Sequence, residues 1–67
     1  MKSLGEALPE EQARVRKILE EAIGLGSPGF FLSAVCRNAL SEAEKAAASG
    51  DLVAMIRAYE ELKEIKD

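Results

Sequence analysis

Apolar residues recur along this chain at helical intervals. Val15, Ile18, Leu19, Ala22 and Ile23 follow the i, i+3, i+4, i+7, i+8 spacing of a single helix face. In the next stretch Leu32, Val35, Cys36, Ala39, Leu40, Ala43, Ala46 and Ala47 occupy one arc. Ser33, Arg37, Asn38, Ser41, Glu42, Glu44, Lys45 and Ser49 occupy the opposite one. In the last stretch Leu52, Met55, Ile56, Tyr59 and Leu62 share a face, with Ala58 and Ile65 at its margin and Arg57, Glu60, Glu61 and Glu64 across from it. Period-2 alternation occurs nowhere, so no strand is expected.

The breaker residues agree with that partition. Gly5 and Pro9 bracket the first break, Gly24, Gly26, Pro28 and Gly29 form the second, and Gly50 is the third. Glycine and proline are the costliest residues in a helix interior. The stretches between them predict helices over roughly 9–23, 28–49 and 51–66, preceded by an N-terminal arm over 1–8. Pro9 suits a first helical turn, and Glu10 and Glu11 suit the positive end of the helix dipole. Gly24 is expected in the left-handed conformation that ends a helix, with Leu25 folding back onto Leu19. Ser27 reads as the N-cap of the second helix and Pro28 as its first residue. Ser49-Gly50-Asp51 reads as a hairpin in which Gly50 ends helix two and Asp51 caps helix three. The expected fold is an all-α three-helix domain covering the whole chain. Its long central helix forms an antiparallel hairpin with the C-terminal helix.

Composition bears on how such a domain is held together. Of the 67 residues 32 are hydrophobic, but 11 of those are alanines, and they crowd the C-terminal half of helix two. A core of this size rarely supplies more than ~3–5 kcal/mol net, and short natural chains lean on disulfides, a metal or a partner chain. One cysteine and no histidine argue against the first two. A partner, most simply a second copy in a homodimer, is the remaining support.

Charge and apolar length limit the partners. Nine basic against twelve acidic residues leave a net charge of −3, the wrong sign for general attraction to nucleic acid or anionic lipid. The most apolar stretch, Phe30 to Cys36, is far too short to span a bilayer. The first residues lack the apolar run of a signal peptide. A cytoplasmic protein with a reduced thiol is expected, with no membrane contact.

Few residues offer chemistry. The adjacent acids Glu10-Glu11, Glu20-Glu21 and Glu60-Glu61 are neighbours only along the chain, because consecutive helical residues point about 100° apart. They read as solvated faces, with i, i+4 partners in Glu10–Arg14, Arg16–Glu20, Lys17–Glu21 and Arg57–Glu61. Cys36, central on an apolar face, reads as a buried structural thiol rather than a nucleophile. The Gly24-x-Gly26-x-x-Gly29 spacing matches a dinucleotide fingerprint but follows a helix, not a strand, and so carries no weight. Neither catalytic residues, a metal nor a cofactor is expected. For DNA, helix three opens Asp51-Leu52-Val53-Ala54 and helix two Pro28-Gly29-Phe30-Phe31, and neither start could read base edges. The alternative to a protein partner is a nucleic-acid contact through the basic side of helix one, Arg14, Arg16 and Lys17.

The two phenylalanines single out a surface. Phe30 and Phe31 are adjacent at a helix start behind a glycine-rich loop, and both cannot face one core. Phe31 borders the apolar arc and is expected beneath the loop, against helix one. Phe30 either folds over the end of helix one or forms a contact for another chain, where aromatic anchors are enriched. Val53, off the main face of helix three, is a candidate for the same patch.

Three stretches carry a resemblance. They are Leu4-Gly5-Glu6-Ala7-Leu8-Pro9 followed by Ala13-Arg14-Val15-Arg16, the loop Leu25-Gly26-Ser27-Pro28-Gly29-Phe30-Phe31, and Ser49-Gly50-Asp51 running on to Lys63. In these the chain resembles a group of short uncharacterised α-helical proteins encoded in bacterial prophage regions. The resemblance implies a bacterial or phage context and brings no activity or site residues with it. The hairpin from Gly50 to Tyr59 also looks like half of a tetratricopeptide-type unit, but a single hairpin is short of the three repeats a solenoid needs. The expected function is that of a non-enzymatic interaction protein, accessory or regulatory, with Phe30, Phe31 and Val53 on the contact surface.

Overall fold

The apolar spacing of the first stretch continues further toward the N-terminus than Pro9 suggests. Leu4, Leu8, Glu11, Val15, Ile18 and Ala22 follow one another in alternating steps of four and three, the seam of a packed helix. In the computed structural model of the chain, which describes residues 3–66, the first helix uses that whole seam: α1 runs Leu4–Gly24. It is followed by α2, Phe30–Ser49, and α3, Leu52–Glu64, and each of the three helices packs on the other two. No strand occurs among the described residues. The domain is the all-α three-helix arrangement that the pattern predicts.

The N-terminal arm is a correction. Residues 4–8 are the first turn of α1, whereas Met1 and Lys2 lie outside the described residues. Ser3 precedes the helix, and its carbonyl accepts from the N–H of Glu6 at 3.1 Å and of Ala7 at 2.8 Å. Its hydroxyl makes no cap bond. Burial accounts for the extension. Leu8 is 2% exposed and Leu4 packs on the core, each side chain contributing about 1.5–3 kcal/mol when fully covered. Together they offset the roughly 3 kcal/mol that an interior proline costs. Pro9 itself lies on the exposed side. At 21 residues α1 is one longer than the 20-residue α2, so the central helix is not the longest.

The α1–α2 connection also departs from expectation. Gly24 stays helical, and the positive φ of 72° falls on Gly26. Leu25 is exposed instead of folding back onto Leu19. Ser27–Gly29 form a single 3-10 turn, and α2 starts only at Phe30, so Ser27 does not cap it. Close packing fixes this turn. Gly29 is buried against the last turn of α1, where a Cβ would collide with the Ala22 carbonyl.

The second connection is as the sequence predicts. Gly50, at φ 71°, closes α2 with its N–H on the Ala46 carbonyl at 3.1 Å. One Asp51 carboxylate oxygen accepts from the Val53 and Ala54 N–H groups at 3.0 and 3.3 Å, the N-cap of α3. Val53 and Asp51 line the same groove as Lys45 and Ser49, whereas Glu64 and Ile65 lie with Phe31 and Val35. The two helices therefore run antiparallel.

The core forms where α2 meets both neighbours. Cys36, Ala39, Leu40, Ala43 and Ala46 from α2 meet Leu8, Val15 and Ile18 from α1 and Ala58, Leu62 and Ile65 from the C-terminal segment. The buried side of α3 is rolled from the expected one by about a quarter turn. Leu52 and Ile56 are exposed, while Ala58, put at the margin by the pattern, is 3% exposed. The small side chains of α2 are the cause: against Ala43 and Ala46 a close approach favours Ala58 over Ile56. Ser33, placed by the pattern on the polar arc, is buried, and its hydroxyl donates to the Phe30 carbonyl at 2.9 Å.

Candidate interaction surface

The unequal helix lengths leave apolar side chains uncovered. At 1.5 Å per residue α3 spans about 20 Å and α2 about 30 Å, so α3 stops short beside the first turns of α2. Phe31 is 80% exposed and Phe30 74%. Both expected packings are corrected: Phe31 does not lie beneath the loop against α1, and Phe30 does not fold over its end. Gly29, locked against Ala22, starts α2 with its first two side chains pointing away from α1.

Phe31 and Val53 share one face. Along α2 the residues Phe31, Val35, Asn38, Glu42, Lys45 and Ser49 form a single stripe in steps of four and three. On α3 the facing stripe is Val53, Arg57, Glu61 and Glu64. Between them lies a shallow groove with small side chains on its floor, Ala39 and Ala46 from α2 and Ala54 and Ala58 from α3. Phe31 and Val35 stand at one end and Val53 at the other. Phe30, one residue on from Gly29, points about 100° away from Phe31 and does not line this groove.

Sequence patterning missed the rest of the exposed apolar residues. Val35 and Ile56, read as core, are 37% and 43% exposed. Ile23 and Leu25 are exposed beside the α1–α2 turn, and Leu52 at the start of α3. For Val35 a signal existed: it continues the four-three stripe that starts at Phe31. The others depended on how far α3 rolls and where α1 ends.

Both ends of the groove carry acidic and basic side chains. Glu64 and Lys66 stand near Phe31, and Glu61 lines both ends. Lys45 and Arg57 stand near Val53, and Lys45 lies 3.9 Å from Glu42. The Asp51 carboxylate there is engaged in capping α3.

The basic side of α1 has a structural use that the sequence did not reveal. Arg14 turns toward the end of α3, where Nη1 donates to the Ile65 carbonyl at 2.8 Å and Nη2 to the Leu62 carbonyl at 2.7 Å. Its Nε donates to the Glu11 carboxylate at 2.7 Å, a partner three residues back where the sequence suggested Glu10. The guanidinium thus caps one helix from another. Arg16 and Lys17 remain exposed, beside the equally exposed Glu20 and Glu21.

Among the described residues every buried side-chain nitrogen or oxygen has a hydrogen-bond partner. No group of three His, Cys, Asp or Glu among them could hold a metal ion. Cys36 is fully buried, and burial pushes its thiol above the ordinary value. No described helix is long and apolar enough to cross a membrane. No protein-family model, curated protein or solved structure matches the chain.

Proposed function

We propose that this chain is a non-enzymatic protein–protein interaction module that self-associates as a homodimer, acting in the cytoplasm as an accessory or regulatory protein of phage or prophage origin. The exposure of Phe30 and Phe31 carries the reading. Two adjacent phenylalanines more than seven-tenths open to solvent leave unused about 1.5–3 kcal/mol of burial each, in a domain where four of the eleven residues in the core cluster are alanines. Aromatic side chains are the residues most enriched where interfaces are tightest. The resemblance of three stretches to prophage-encoded proteins supports the biological setting. Arg14 is committed to α3, which leaves the nucleic-acid reading with fewer free cations than composition suggests.

Sedimentation velocity over a wide concentration range tests the proposal. A reversible dimer that is weakened by Phe31→Ser is expected. A monomer at all concentrations, with a thermal midpoint independent of concentration, overturns it.

A further inference from the structure

We draw no further inference here: the strongest candidate, the exposed apolar side chains Ile23, Leu25 and Phe30 around the α1–α2 turn, is an unpartnered surface patch, and nothing in the structure shows what covers it.

Discussion

A helix leaves its last four carbonyls without intrahelical partners, and α3 ends beside a helix that can supply donors. Arg14 fills that need from α1, with its fork on the carbonyls of Leu62 and Ile65 and its Nε held by Glu11. Hydrogen bonds from charged groups contribute about 1.5–3 kcal/mol each before solvent screening, and the Arg14 side chain is about a third exposed. Arg14→Ala is therefore expected to lower stability by about 2–3 kcal/mol in urea denaturation. Arg14→Lys should recover less than half of that, since an ammonium cannot span two carbonyls as a planar fork does. Loss of amide protection in the last turn of α3 should accompany both. A change within ~0.5 kcal/mol for Arg14→Ala, as at an ordinary surface position, would show that the cap is not formed in solution. Chain position gives no hint of this contact, because the partners lie 48 and 51 residues away.

At the level of elements, the number of helices, the hairpin turn and the buried thiol were all legible. Each follows from local signals: periodicity, Gly50 where φ must be positive, Asp51 where two N–H groups need an acceptor. What was not legible depended on tertiary contact. The first turn of α1 forms because Leu4 and Leu8 find a core, and the roll of α3 is set by alanines on α2. Gly29 looked like a turn former, yet its role is to let two backbones touch. The start of α1 can be tested directly. A helix beginning at Pro9 would leave Leu8 in a solvated arm, and Leu8→Ala would then cost less than about 0.5 kcal/mol. With Leu8 2% exposed, the expected cost is instead about 2–5 kcal/mol. Pro9→Ala, which restores an N–H and removes the ring from the helix interior, is expected to raise the thermal midpoint. A midpoint unchanged or lowered by Pro9→Ala would place the helix start after residue 9.

For the molecule as a whole, Cys36 reports on opening. It is fully buried among side chains from all three helices, so a thiol reagent reaches it only when they separate. Labelling of the native protein should follow the global opening equilibrium and, under the self-association proposed above, slow as protein concentration rises. Fast labelling that ignores concentration would mean that the α2 seam opens locally. The same thiol sets an alkaline limit. Burial raises its pKa, so above the ordinary thiol value the unfolded chain has lost a proton that the folded chain retains. The unfolded state then binds fewer protons, and stability falls as pH rises through that window; below it both states keep the proton and the thiol adds no slope. As pH rises above the ordinary thiol value the parent should lose stability more steeply than Cys36→Ala, which has no thiol to ionise. Parallel slopes for the two proteins would show that Cys36 meets water in the folded state, and with it that the three helices do not close around the centre of α2.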